Sequence, residues 1–340
     1  MEILELTKDS FPGVFALHHL CEDLQMGGIG RPRKQFFRTR LEKLKPIESY
    51  LLVSITANDI DKNAKWKLSL NGVTVTRELK PQLELTDSEF VHALYIYDVT
   101  HALLKNPAEP DVMLIYDSRK PITIDAVSLL VFYKVENSES IVKGFVGLQI
   151  LKEGQEVVRG YSLAKDLKGN FNNYYIGMAT NASIANVRLQ LDNNQHHLRM
   201  LRGFNDYELK LKNPITRSTL AIESTTPRRS TVKLIYDIMS MSNIAMPQLR
   251  CSVKIDDNHV KVFIRNDGAV PPDDAVQVLL MRAGAVVDRT VVPPIKPGSE
   301  ISVSLNMRKN YKEMGGITLV RILWRRAARV FTEDIRLITS

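Results

Sequence analysis

Apolar and polar residues alternate with a period of two along most of the chain, in short runs bounded by turn residues. Tyr50–Thr56, Trp66–Leu70, Phe90–Tyr97, Asp111–Tyr116 and Asp125–Lys134 are rich in β-branched and aromatic side chains. Such side chains pack well on a pleated surface, so each run predicts a strand. Asn71-Gly72 joins Lys67–Leu70 to Val73–Thr76 and predicts a two-residue hairpin, because a type I′ turn needs positive φ at both central positions. One run reads as helix. Val14, Leu17, Cys21 and Leu24 share a helical face within Val14–Gln25, and Gly27-Gly28 ends the run, although Pro12-Gly13 is a poor start.

The order of features then returns. Arg188–Asn193 echoes Lys67–Gly72, Ser218–Ile222 echoes Val112–Tyr116, and Thr231–Tyr236 echoes Ala126–Val131, while the offset falls from 121 to 105. This predicts a repeated sandwich with loops of different length, the copies parted by the polar stretch Glu136–Ser140. After Met241–Pro247, strands are predicted at Cys251–Ile255, Val260–Ile264, Val276–Met281, Val286–Val292, Glu300–Leu305, Gly316–Trp324 and Ala328–Leu337. Seven short strands in about ninety residues have the rhythm of an immunoglobulin-like sandwich. A Cys…Trp…Cys arrangement is lacking, which excludes the antibody type. The pattern as a whole predicts an all-β chain of three β-sandwich domains, at 1–135 with an N-terminal extension, 141–243 and 247–340.

Two stretches carry a family resemblance. Val260–Gly268 (VKVFIRNDG) followed by Pro294–Ile301 (PIKPGSEI) resembles the cell-adhesion-related domain of bacterial and archaeal surface proteins. Leu68–Gly72 followed by Tyr95–Leu104 (YIYDVTHALL) is similar to galactose-binding-like jelly-roll sandwiches. The resemblance implies that the first two sandwiches are jelly-roll-like, as in archaeal surface-protein families of unassigned function. In the second copy Asn205–Leu209 stands in place of the Asp-Val-Thr element. The turn residues singled out are Asn71, Gly72, Asp98, Thr100, Asn266, Gly268, Pro297 and Gly298. Asp98 is expected to cap the turn after its strand, with Val99 and Leu103 folding back onto the core.

Charge adds one local feature. The net charge is +8, but residues 1–135 carry 17 basic and 18 acidic groups, 136–245 carry 14 and 10, and 246–340 carry 15 and 10. None has the concentrated excess of a dedicated nucleic-acid domain. Residues 31–45, however, hold seven cations against the single acid Glu42. Arg31, Arg33, Lys34, Arg38 and Arg40, flanking Phe36-Phe37, are therefore candidate binding residues, as are Arg325, Arg326 and Arg329 beside Trp324. The phenylalanines are expected to be core residues leading into the first strand, and Trp66 a core residue.

Motifs of catalysis are scarce. Gly27-Gly-Ile-Gly30 precedes a proline and a basic run instead of a helix, so it is not a phosphate loop. Neither a Gly-x-Ser-x-Gly elbow nor a Cys-x-x-Cys pair occurs. His18-His19 and His196-His197 are adjacent pairs whose rings diverge on a regular strand or helix, so no metal and no cofactor is expected. Cys21 and Cys251 are too few and too far apart for a disulfide framework. Nothing approaches the apolar run of a transmembrane helix, and no signal peptide is expected at the start. Absence of a leader predicts a cytoplasmic protein, whereas the resemblance implies the cell surface. The expected role is non-catalytic binding or assembly through sandwich surfaces and sheet edges, with a protein partner or a second copy. The alternatives are a nucleic-acid or anionic-surface binder acting through 31–45, and a sugar-binding or accessory subunit of an enzyme.

Overall fold

The computed structural model describes residues 2–87, 89–162, 169–228, 230–256, 259–307, 318–327 and 329–337. Almost every element is a strand, and the chain divides into two compact units, Met1–Asn243 and Ile244–Ser340. In the first unit the order is β1 (Glu2–Phe11), β2 (Gly13–Met26), β3 (Lys34–Arg38), β4 (Lys45–Ala57), β5 (Lys65–Leu70), β6 (Val73–Thr76), β7 (Leu83–Thr86) and β8 (Val91–Asp98). The one-turn α1 (Thr100–Leu103), β9 (Asp111–Asp117) and β10 (Ile122–Lys134) complete the first copy. The second holds β11 (Ser138–Lys152), β12 (Glu156–Gly160), β13 (Phe171–Leu191), β14 (Asn194–Leu211), β15 (Arg217–Thr226) and β16 (Thr231–Ile244).

The strand orders show that the echo in the sequence is a structural repeat. The first copy has sheets β2-β10-β4-β8-β7 and β3-β9-β5-β6. In the second, β11 and β16 lead to the first half of β13 and the second half of β14, while β12 and β15 lead to the remaining halves. Strands that a loop separates in the first copy are fused in the second, and β13 shifts register between Thr180 and Ile184, where the sheet bends. Residues from both ends of this bent sheet, such as Leu151, Val157, Leu189 and Met239, share one core. The turns match as well. Asn71 has φ 49° and Asp192 φ 46°. The backbone N–H of Asn71 donates to Asp111 O at 2.8 Å, and that of Asp192 donates to Arg217 O at 2.9 Å. The side-chain oxygen of each then accepts from the same partner's backbone N–H, at 3.0 and 2.9 Å.

Alternation on β4 and β10 explains how the copies join. Leu51, Val53 and Ile55 point one way, toward a core that holds Trp66 stacked on Tyr95 at 5.7 Å. Leu52, Leu130 and Phe132 point the other way and pack with Val142, Tyr175 and Ile238 of the second copy. The two sandwiches therefore share a core. They also share strands: β1 pairs along β11, so the N-terminal segment belongs to the sheet of the second copy, not to that of residues 1–135. Glu136–Ser140 is not a linker. Ser138 already lies in β11, Ser140 is fully buried, and its hydroxyl donates to Gly13 O at 2.5 Å.

Val14–Gln25 is strand β2, not helix. His19 pairs with Ser128 and Cys21 with Val127, so Leu20 is an extra residue that shifts the alternation by one. That slip places the apolar residues at a helix-like spacing.

The second unit comprises β17 (Leu249–Asp256), β18 (His259–Asn266), β19 (Val276–Arg282), β20 (Ala285–Val292), β21 (Glu300–Asn306), β22 (Thr318–Arg326) and β23 (Arg329–Leu337). Its sheets are β17-β18-β21 and β20-β19-β22-β23, closed over Val262, Ile264, Val278, Leu280, Val320 and Ile322. Asn266 ends β18, fully buried. It accepts from Gln248 N–H (3.1 Å) and Gly268 N–H (2.9 Å) and donates to Val270 O and Ile295 O, both at 2.8 Å. A Cβ on Gly268 would lie 2.4 Å from Gln248 N, which is why the Asn-Asp-Gly turn needs glycine. Ser299 N–H donates to Lys296 O at 3.0 Å across a turn with Pro297 second and Gly298 third at φ 73°.

Candidate functional site

Among the described residues, a cluster of buried charge lies where the two repeats meet. On β10, Ile124 pairs with Ile55 but Ala126 with Ser54, so Asp125 is a bulge residue whose carboxylate turns into the interface. Ser54 donates to its Oδ2 at 3.0 Å and Thr56 to its Oδ1 at 2.9 Å. From the second copy, Lys233 on β16 donates to Asp125 Oδ2 at 2.5 Å, to Thr56 Oγ1 at 2.8 Å and to Ile55 O at 3.4 Å. Lys233 is 2% exposed and Asp125 6%. Burial pushes the Lys233 pKa below its ordinary value, against the pull of Asp125.

A second link extends from Thr56. His92 Nδ1 lies 3.2 Å from Thr56 Oγ1, and His92 Nε2 lies 3.1 Å from Asp87 Oδ2. Asp87 Oδ1 is fixed by the N–H groups of Glu89 and Phe90, each at 2.8 Å. Burial and the Lys233 cation lower the His92 pKa from its ordinary 6.5, against the pull of Asp87. Nδ1 lies beside the Thr56 oxygen, whose one hydrogen serves Asp125.

These groups line a cleft of about 500 Å³. Its other walls include Gln25, Thr123, Thr180, Asn181 and Arg202, with the half-buried ring of Phe90. The rim is tightly fitted. Gly203 has φ 102°, and a Cβ there would fall 2.0 Å from Asp23 Oδ2, while Phe204 N–H donates to Asp23 Oδ1 at 2.9 Å. Burial raises the Asp23 pKa, against that hydrogen bond.

A Ser–His–Asp succession also forms across the repeats. His19 Nδ1 is 3.0 Å from Ser128 Oγ and its Nε2 is 3.0 Å from Asp206 Oδ2. Ser128 is 1% exposed, and the Tyr236 hydroxyl lies 3.3 Å from the same Nε2. A hydroxyl sealed beneath a sheet cannot reach a substrate, so these residues act as interface hydrogen bonds.

The basic residues are dispersed by comparison. Arg33 pairs with Asp117 at 2.7 Å and Arg40 with Glu109 at 3.0 Å, while Lys34 lies 4.7 Å from the Phe36 ring centre. Arg31 and Arg38 are exposed and form no ion pair among the described residues. Phe36 is 61% exposed on the edge strand β3, not a core residue, because alternation along β3 puts it on the outer face with Lys34 and Arg38. Phe37 is half-buried. Arg326 is not a surface group. It is 6% exposed, with Nε donating to Ala245 O (2.9 Å) and Nη1 to Asp273 Oδ1 (2.7 Å). Arg325 is exposed, and Arg329 is half-buried opposite Arg326 in the β22–β23 hairpin. Asn71 and Gly72 form the expected hairpin turn, both at positive φ. Asp98 Oδ1 accepts from Thr100 N–H at 2.9 Å, and Thr100 Oγ1 accepts from Ser49 N–H at 2.9 Å. Trp66, Val99 and Leu103 are core residues.

No family model matches the chain, and no curated protein matches it. Among solved structures it is similar to an FMN-binding beta-glucuronidase from Facaelibacterium prausnitzii L2-6, at 11% identity and a TM-score of 0.23, covering 58% of this chain and 32% of that one. It is also similar to a b-glucuronidase from Ruminococcus gnavus, at 9% identity and a TM-score of 0.22, covering 60% of this chain and 37% of that one. The chain thus spans about a third of the length of these enzymes. Likeness at such scores carries no argument about function.

Proposed function

We propose that the protein is a non-catalytic binding protein whose ligand site is the cleft between its two sandwich repeats, and that the ligand is a small polyhydroxylated molecule of the sugar class. The observation that carries this reading is the wall chemistry. Gln25, Thr123 and Asn181 offer neutral polar groups beside the flat ring of Phe90 and the exposed cation Arg202, while Lys233 is already paired with Asp125. Hydroxyl and amide partners with an aromatic face suit a sugar ring, and about 500 Å³ is within the size range of small-molecule sites. The resemblance to galactose-binding-like sandwiches points the same way. Thr56 is a poor nucleophile here, because its oxygen accepts from Lys233 while its hydrogen serves Asp125.

Isothermal titration and thermal shift against neutral and acidic mono- and disaccharides test the reading. At least one sugar should bind, and Arg202→Ala or Phe90→Ala should weaken it about tenfold (about 1.4 kcal/mol). A panel with no binder, or one whose affinity both variants leave unchanged, overturns it.

A second reading, assembly through a sheet edge, is supported by β3, an edge strand bearing the exposed Phe36 beside Lys34. Sedimentation of wild type and Phe36→Lys would separate them if the chain self-associates through that edge.

A further inference from the structure

We propose that Lys233 and Asp125 condense into an intramolecular isopeptide bond that locks the two sandwich repeats together. The pair is 108 residues apart in sequence, joins β16 of one repeat to β10 of the other, and has Nζ 2.5 Å from Oδ2. Both residues are buried at the cleft floor. Holding two reactants in one geometry removes the entropic cost that makes this condensation slow in solution. Keeping a charged pair out of water is costly, whereas an amide is neutral, so burial favours the product. Burial also loosens the hold of Lys233 on its proton, against the pull of Asp125.

Thr56 is the positioning residue. Its Oγ1 lies 2.8 Å from Nζ, 2.9 Å from Oδ1 and 3.2 Å from Oδ2, touching the amine and both carboxylate oxygens. One proton passes from Nζ to Oδ2 along the direct contact, giving an amine and a carboxylic acid. The amine lone pair forms the Nζ–Cγ bond, with charge on Oδ1 held by the Thr56 hydroxyl. A second proton leaves Nζ through Thr56 Oγ1 to Oδ2, the Cγ–Oδ2 bond breaks, and one water departs through the cleft. An ammonium and a carboxylate become an amide and water, and nothing is oxidised or reduced. His92, held by Asp87, lies against the threonine on its far side. Ser54 donates to Oδ2 at 3.0 Å and orients the leaving oxygen.

The test is the denatured mass of the purified full-length chain. The wild type should be lighter than its sequence by one water, trypsin should not cut after Lys233, and a branched peptide should join the segments carrying Asp125 and Lys233. Lys233→Arg should show the full sequence mass, Asp125→Asn should lose ammonia in place of water, and Thr56→Val should leave an unlinked fraction. The double variant Lys233→Met with Asp125→Leu removes both charges together, so that an unlinked chain can fold; it should melt below the wild type. A wild type at full sequence mass, cut by trypsin after Lys233, overturns the proposal and leaves an ordinary buried ion pair.

Discussion

Asp237 offers the sharpest test of the energetics of the second repeat. It lies on β16, 2% exposed, with Tyr161 donating to Oδ1 at 2.7 Å and Arg159 Nε 3.7 Å from Oδ2. Burial pushes its pKa from the ordinary 3.8 up to about 6, although Tyr161 and Arg159 pull the other way. The folded state therefore holds this proton more tightly than the unfolded chain does. The stability that the neutral acid contributes is fully present below the unfolded pKa and is lost as pH rises through about 6. At 1.36 kcal/mol per pH unit the loss is about 3 kcal/mol. Asp237→Asn keeps an oxygen for Tyr161 and cannot titrate. Urea denaturation of both proteins across this range measures the difference. The stability of the variant relative to wild type should rise by about 3 kcal/mol from acid to neutral pH, whatever its starting value. Difference curves that stay flat would mean that Arg159 holds Asp237 charged at its ordinary pKa, and would refute the reasoning.

His18 titrates with the opposite sign: burial, helped by His19, lowers its pKa from 6.5 to about 4, so its contribution is lost as pH falls through that range. His18→Gln should remove about 3 kcal/mol of acid destabilisation in the same denaturation series. Gly203→Ala should cost about 2 kcal/mol or more, read as a lower urea midpoint, because φ 102° and the Asp23 carboxylate both exclude a side chain. Asn266→Ala removes four hydrogen bonds at about 1 kcal/mol each; hydrogen exchange should show the loss of protection within Ile244–Ser340. Phe36→Ala should change stability by less than about 0.5 kcal/mol, since the ring is 61% exposed.

Much of the fold was legible in the sequence. A period of two with β-branched residues marks a strand wherever one face is buried, and the type I′, Asn-Asp-Gly and Pro-Gly turns need residues that few others replace. The echo of Lys67–Gly72 in Arg188–Asn193 proved to be shared topology, because the same turn ties the same two strands in each copy. The misreadings have local causes. The extra Leu20 gave β2 the spacing of a helix. Arg326 looked like part of a cationic surface, since a buried arginine differs from an exposed one only by partners distant in sequence, here Ala245 and Asp273. The candidate site was not legible. Lys233, Asp125, Thr56 and His92 each sit in an ordinary strand pattern, and no motif spacing connects them. A bulge turns Asp125 inward, and the packing of one sandwich face on another brings Lys233 to it across 108 residues. The sequence by itself determined most of the segments that become strands, β2 excepted, because that depends on neighbours two residues away. Only the tertiary structure decided which charges meet, because that depends on which faces pack together.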